Sequence, residues 1–342
     1  MRKGGGTARI FLTTVLGTLV LGLASVGLAA SNTSKTVVVA LDGSGNYRTV
    51  AEAIAAVPAR SSGKQWVIRV KPGTYREKLR VSREHAPITL LGEDAEKTII
   101  VNGDSADDLD PTGARLGVQR CATIRIDADD FTAENITFAN DHKPRSMEGE
   151  QGLAVYFTGD RGIFRACRIL GWNNTLCLEK RRQYLEKCYI SGQADFIAGG
   201  AEAFFEGCVI HCIASGTSIA AAATPAEQPF GFVFHDCRIS AEPGVKPTHL
   251  GRPWRPAGSV TWLSTEMTEV VAPQGWAALE SLSLEKTARF TEYRSSGPGA
   301  KPASRARWSR QLTDDEAQRI TVQNVLAGHD GWTPVGAIIA QP

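Results

Sequence analysis

Short apolar stretches punctuated by Gly, Asn and Asp run along most of this chain, and four of them share one frame. Phe164-Arg165-Ala166-Cys167, Leu185-Glu186-Lys187-Cys188, Phe205-Glu206-Gly207-Cys208 and Phe234-His235-Asp236-Cys237 each lead into an alternating apolar strand, with the cysteines 21, 20 and 29 positions apart. Asn135, in Thr132-Ala133-Glu134-Asn135-Ile136-Thr137-Phe138, reads as an earlier copy with Asn at the Cys position. Periods in the low twenties with alternating apolar residues predict a solenoid in which each turn buries its face against the next. The strand–helix alternation of a doubly wound sheet is absent. The predicted fold is therefore an all-β solenoid, a right-handed single-stranded parallel β-helix. Its open ends need covers, because a terminal coil exposes strand edges. Thr49-Val50-Ala51-Glu52 is a capping box ahead of Ala53-Ile54-Ala55-Ala56-Val57 and a stop at Pro58, and Thr313-Asp314-Asp315-Glu316 is a second box. Short capping helices are expected at both places. Ser295–Pro302 reads as a loop, so residues 31–342 form one domain.

The first thirty residues follow a different pattern. Arg2, Lys3 and Arg9 precede an apolar run from Ile10 to Ala30 that ends in Gly27-Leu28-Ala29-Ala30, the layout of a secretory signal peptide cleaved near Ala29 or Ala30. The run is long for such a segment, which leaves an uncleaved anchor as the alternative. With cleavage, the protein is expected to be secreted or periplasmic, monomeric, and without stable membrane association. Removal of those three cations takes the net charge from +2 to −1. A near-neutral surface argues against a nucleic-acid partner. It leaves room for a sugar polyanion held by a local group of cations.

Seven cysteines in an exported chain invite disulfides, but the frame puts four of them where small buried hydrophobes stack between coils. A bridge between neighbouring coils stays open, with one thiol necessarily unpaired. Cys208-Val209-Ile210-His211-Cys212 offers three zinc-ligand types, but no fourth lies nearby and Cys208 belongs to the frame. It reads as core packing, and no metal or cofactor is expected.

The chemistry concentrates in Tyr189-Ile190-Ser191-Gly192-Gln193-Ala194-Asp195-Phe196-Ile197-Ala198-Gly199, where Asp195 interrupts a segment that otherwise reads as a buried strand. Ionising a carboxylate away from water requires a cation or several donors. Leu250-Gly251-Arg252-Pro253-Trp254 supplies a candidate cation and an aromatic wall. On residue types alone, a structural ion pair and a functional carboxylate are both open readings. Nucleophile-elbow, phosphate-loop and His-Glu-x-x-His motifs are absent.

Several motifs together resemble pectin methylesterases, the carbohydrate esterases that demethylate homogalacturonan. They are Leu41-Asp42-Gly43-Ser44-Gly45-Asn46-Tyr47-Arg48-Thr49-Val50, Pro72–Lys78, Asp130–Phe138, Asp195-Phe196-Ile197, Leu250–Trp254 and Gly297-Pro298-Gly299-Ala300, and the similarity spans about Val38 to Gly336. The resemblance implies a parallel β-helix and an exported ester hydrolase acting on pectin. It makes Asp195 the nucleophile that forms an acyl-enzyme anhydride, Arg252 the group that orients it, and Gln151 an oxyanion donor. Trp254, Phe196 and Trp172 would contact substrate.

The chain departs from the family where the resemblance matters most. The family's Gln-Asp-Thr-Leu, whose aspartate is the general acid and base, is here Asn173-Asn174-Thr175-Leu176. Asn173 keeps an amide for the oxyanion but is one methylene shorter. Asn174 can donate a hydrogen bond but cannot shuttle a proton at neutral pH. Loss of such a group costs about 10²–10⁴-fold, or roughly 3–5 kcal/mol of barrier. Ala198 stands where the family has a bulky aromatic, and Gly275-Trp276-Ala277-Ala278-Leu279 has lost a second tryptophan, so a wider cleft is expected. Three functions compete: a pectin methylesterase of reduced activity, a related esterase or thioesterase for another acyl group, and a non-catalytic pectin-binding protein. Glu150, Glu179 and Glu202 lie near the motifs in sequence and are candidates for a displaced acid. A lyase is disfavoured, because no Ca²⁺-binding carboxylate cluster with a basic catalytic residue can be found.

Overall fold

A computed structural model describes residues 1–2, 4–5, 34–60, 65–145, 149–278 and 283–335. The chain divides into two compact units, Met1–Asn32 and Thr33–Pro342. The apolar run and cleavage region of the signal segment, Leu279 and Gly336 lie outside the described residues. In the second unit every paired strand runs parallel to its neighbours, in sheets of 11, 7 and 8 strands. Through the middle of the chain successive strands pass from one sheet to the next, so each central coil contributes a rung to each sheet, while the terminal coils pair in the 11-stranded sheet alone. This is the right-handed parallel β-helix that the repeat frame predicts.

Pairing in register turns sequence repeats into rows. Phe164, Leu185, Phe205, Phe234 and Trp262 occupy one inward row of the 11-stranded sheet. Phe205 and Phe234 stack at 4.4 Å between centroids, and Phe234 and Trp262 at 3.8 Å. Three residues after each of the first four comes the cysteine of the frame. Cys188, Cys208 and Cys237 donate to the carbonyls of Phe164, Leu185 and Phe205 in the coil before, each at 3.5 Å. All seven cysteines are free and buried, so no neighbouring coils are bridged. Burial pushes the Cys167 and Cys208 thiols up and that of Cys212 to about 12.

The corner before each cysteine corrects the reading of Asn135. Glu134 pairs with Arg165 and Thr137 with Arg168, which puts Ile136 in the cysteine row and Asn135 one place earlier. That earlier place is a left-handed backbone corner: Asn135, Ala166, Lys187, Gly207, Asp236, Ser264 and Arg294 all have φ between 46° and 59°. Asn fits there because its short polar side chain tolerates this conformation.

The helix Val50–Ala55 begins with the predicted box, Thr49 accepting from Glu52 N–H and Glu52 reaching back to Thr49 N–H. Its buried Val50, Ala53 and Ile54 join the main core, and the Glu77 carboxylate accepts from Val50 and Ala51 N–H. The second box opens the helix Asp314–Gln318, and a further short helix follows at Val322–Leu326. Val325 and Leu326 pack with Ile163, Tyr184, Phe204, Val233 and Leu263 on the outer face of the 11-stranded sheet. Arg182 ties this segment down through Asp160, Asp330 and the carbonyls of Leu326 and Ala327. Inside the last coils Arg305 and Glu292 form an ion pair only 3% exposed on each side, and Arg305 also holds Gly299 O of the Gly-Pro-Gly-Ala loop.

The aromatic row is the thickest part of this core. Phe234→Ala, which removes the ring between Phe205 and Trp262, is expected to cost about 3–5 kcal/mol of stability in chemical denaturation.

Candidate active site

The 7-stranded sheet carries the candidate site on its outer face. Leu79, Ile124, Val155, Leu176, Ile197 and Ala220 point inward in one row, and their neighbours Arg80, Arg125, Tyr156, Cys177, Ala198, Ala221 and Arg252 form the adjacent outward row. Asp195 does not sit within a strand, as the sequence suggested. It lies at the corner between the strands Tyr189–Gly192 and Ile197–Gly199, with φ of 47°. Asn174 occupies the equivalent corner one coil earlier, with φ of 58°. Asn174 N–H donates to Ala194 O at 3.2 Å, and Asp195 N–H to Ser218 O at 2.7 Å, so each corner is fixed by the next coil.

The corner sends successive side chains in opposite directions. Phe196 turns inward, is 1% exposed and belongs to the main core, so it does not contact a ligand in the cleft. Gly192 makes that turn possible, since a Cβ there would stand 2.2 Å from Phe196 Cβ. The Asp195 side chain faces outward at 12% exposure. Arg252, on the strand His249–Pro253, reaches back across the Ala221 coil and grips both carboxylate oxygens. Its Nε donates to Oδ1 at 3.0 Å and its Nη2 donates to Oδ2. The Arg252 guanidinium in turn lies 5.4 Å from the Trp254 ring centroid. A bidentate, charge-assisted pair of this kind fixes the direction of the carboxylate lone pairs.

These groups line a cleft of about 370 Å³ with Gly149, Gln151, Asn173, Asn174, Ala194, Ala198, Thr217 and Ala221. Trp254 forms an open wall at 40% exposure. Trp172 is not part of the lining: it is half-buried beneath the Lys143 ammonium, 5.1 Å from its ring centroid. The Gln151 backbone is set by Ala106 N–H at 2.8 Å, and its side-chain amide makes no hydrogen bond among the described residues. The Asn173 amide donates to Gly149 O at 2.9 Å. Thr217, the one hydroxyl among the described lining residues, was missed in the sequence because the insertion after Cys212 lengthens that coil and hides its alignment with Ala194.

Among the described lining residues Asp195 is the only carboxylate. Glu150 is engaged by His142 and Arg145, Glu179 receives the Cys177 thiol, and Glu202 lies on a strand of the 11-stranded sheet, so none of them supplies a second acid to the cleft. Ala198 and Ala221 leave its floor flat and unfilled. The arrangement can perform nucleophilic attack by an oriented carboxylate on an electrophilic carbon, with Gln151 positioned to donate to a developing oxyanion. Among the described residues of the lining, none other than Asp195 is an acid that could deliver a proton to a leaving group.

A family model described as pectinesterase matches residues 36–329. Pectinesterase 31 of Arabidopsis thaliana is 38% identical over 290 residues, covering 83% of this chain and 90% of its own. The solved pectin methylesterase from carrot aligns with a TM-score of 0.78 at 32% identity, over 86% of this chain and 93% of its own. A pectin methylesterase solved in complex with a hexasaccharide aligns with a TM-score of 0.74 at 28% identity, over 88% of this chain and 99% of its own.

Burial pushes the Asp195 carboxyl above its ordinary value of 3.8, and Arg252 opposes the shift by hydrogen bond and charge. Asp195 is thus expected to titrate above 3.8 and to lose its reactive form as pH falls through that point. Arg252→Gln removes the opposing cation and should move the midpoint further up. Carboxyl NMR titration of the two proteins checks both signs, and a downward shift in the variant would contradict this account.

Proposed function

The chain belongs to the pectinesterase family of carboxylic-ester hydrolases, and we propose that it demethylates methyl-esterified homogalacturonan with Asp195 as nucleophile. The observation that supports this most is the bidentate Arg252–Asp195 pair in the floor of an open cleft beside an aromatic wall. A protein that only binds sugar has no need of a carboxylate held in that way. The capture of a relative with a hexasaccharide supports a carbohydrate chain as the ligand. The cationic and apolar pattern of residues 1–30 supports export and removal of that segment.

In this reading Asp195 attacks the C6 carbonyl carbon of a galacturonate methyl ester, and the carbonyl oxygen takes the negative charge. Gln151 donates to that oxyanion, a contribution worth ~2.7–4 kcal/mol when well aimed. The Asn173 amide is engaged by Gly149 O, so Gln151 is the donor assigned to the oxyanion. Collapse breaks the bond to the methoxy oxygen and leaves an Asp195–galacturonyl anhydride. Because Asn174 has no proton to give, a water beside it protonates the methoxide, and the resulting hydroxide hydrolyses the anhydride. The products are methanol, a galacturonate carboxylate and one proton, and Asp195 is regenerated. The Trp254 face packs against a sugar ring.

The lack of a second carboxylate among the described residues of the cleft favours one other reading. An ester whose leaving group departs unprotonated, such as a thioester or an aryl ester, would not need the missing acid.

Methanol release from highly methylated pectin separates these readings. The wild type is expected to be slow, Asn174→Asp to be faster by ~10²–10⁴-fold, and Asp195→Ala to be inactive. A silent wild type beside an active Asn174→Asp would mean that the natural protein uses another ester or only binds. Silence from all three would remove the methylesterase reading.

A further inference from the structure

Gln151 stands between residues that the rest of the chain grips. Asn173, one coil further along, holds both sides of it. The Asn173 backbone oxygen accepts from Gly152 N–H at 3.3 Å, and its side-chain amide donates to Gly149 O at 2.9 Å. The neighbouring Glu150 does not line the cleft; its carboxylate reaches the preceding arm of the chain, residues 140–145. Its Oε2 accepts from Arg145 N–H at 3.2 Å and lies 3.2 Å from His142 Nε2, while its Oε1 lies 3.3 Å from Arg145 Nε. The side chains of Glu150 and His142 are only 18% and 19% exposed, so water competes little for this contact.

The arm is anchored at its root. Asn140 is buried, receives His142 N–H on Oδ1 at 3.0 Å, and donates its amide to the carbonyls of Asp104 and Leu153. Gly152 lets the returning chain pass this close, since a Cβ there would stand 2.8 Å from Asn140 Oδ1. The contacts close a ring: Asn140 to His142, His142 to Glu150, then along the chain through Gln151 to Leu153 and back to Asn140. A flexible glutamine side chain delivers its donor to one point only if its backbone is held, and a 1 Å misplacement can cost ~10²-fold in rate. Glu150 is suited to holding and not to proton transfer. The Arg145 N–H, helped by His142 and the Arg145 charge, keeps its carboxyl below the ordinary value of 4.5, so it remains an ionised acceptor at neutral pH.

We propose that Glu150 and Asn173 are positioning residues that fix the aim of Gln151, Glu150 as a clasp between the two arms and Asn173 as a bracket beneath them. Both act on the reaction through Gln151. The inference rests on the methylesterase reading, because the aim of Gln151 matters to the rate only where an oxyanion develops beside it. It also gives Asn173 a different task from the one its amide suggested in the sequence: the hydrogen is spent on Gly149 O, and what it stabilises is the placement of another donor. Loss of either residue should therefore lower the rate of the chemical step and leave ground-state binding of the ester as it was.

The test is a double-mutant cycle read by methanol release, run in the wild-type and the Asn174→Asp backgrounds. Gln151→Ala is expected to lose ~10²–10³-fold in kcat. Glu150→Ala should lose roughly tenfold to hundredfold in kcat with KM unchanged, and Glu150→Gln, which keeps an acceptor for Arg145 N–H, should recover most of that. In Glu150→Ala/Gln151→Ala the clasp has nothing left to aim, so kcat should equal that of Gln151→Ala alone. Losses that multiply in the double variant overturn the proposal, and so does a loss carried by KM. Asn173→Ala is crossed with Gln151→Ala in the same way, and multiplying losses there would make Asn173 a donor in its own right. Hydrogen exchange at Gly152 N–H gives a readout without turnover: it should be severalfold faster in Glu150→Ala, and an unchanged rate overturns the clasp. If neither background releases methanol, the methylesterase reading falls, while the exchange comparison still decides whether Glu150 holds this segment.

Discussion

Parallel pairing in register is the constraint on which the rest of this protein depends. Each strand residue is bonded to its equivalents in the coils before and after, so a side chain's neighbours along a sheet are set by the repeat rather than by local contacts. The same rule that stacks Phe205 on Phe234 and Trp262 inside lines up Arg80, Arg125, Tyr156, Cys177, Ala198, Ala221 and Arg252 outside. Chemistry on this scaffold is therefore linear. A group acts on its neighbour by reaching along the row, as Arg252 does across Ala221 to Asp195.

The corners provide what the strands cannot. A strand residue in the row points straight out from the sheet, whereas Asp195 sits at a left-handed corner, where Arg252, reaching back from two coils on, holds both its oxygens. A non-glycine residue in that conformation costs of order 1–3 kcal/mol, which the bonded coils on either side offset. The same turn carries Phe196 into the core, so the Asp195 carboxylate is braced from behind by a fully buried ring.

Much of this was legible in the sequence because repeats and caps are local signals. The Phe-x-x-Cys frame gave away the solenoid, Thr49 and Glu52 the first helix, and the apolar-embedded Asp195 its pairing with Arg252. What stayed hidden needed the register. Asn135 looked like a cysteine equivalent because an αL corner and a buried rung are adjacent in sequence and only pairing with Arg165 tells them apart. Phe196 looked like a sugar contact because aromatic type says nothing about which way a corner turns. The clasp around Gln151 draws on residues 140 to 173, and no local motif joins them. Family likeness, supported by 38% identity to a plant relative, placed the Asn174 substitution in context; composition alone would have passed over it.

The left-handed corner at Asn174 has a consequence for how such a protein changes over generations. Asparagine and aspartate are the two non-glycine residues that occupy this backbone most readily, and they are nearly equal in size and shape. An exchange between them leaves the coil, its pairing and its packing as they were, so folding offers no resistance in either direction. Quality control that removes unstable variants is blind to the exchange, and only demand for the reaction itself can hold an aspartate there. A lineage on this scaffold can thus drift from esterase toward a slower or different role, and back again, by a single step that its architecture does not register.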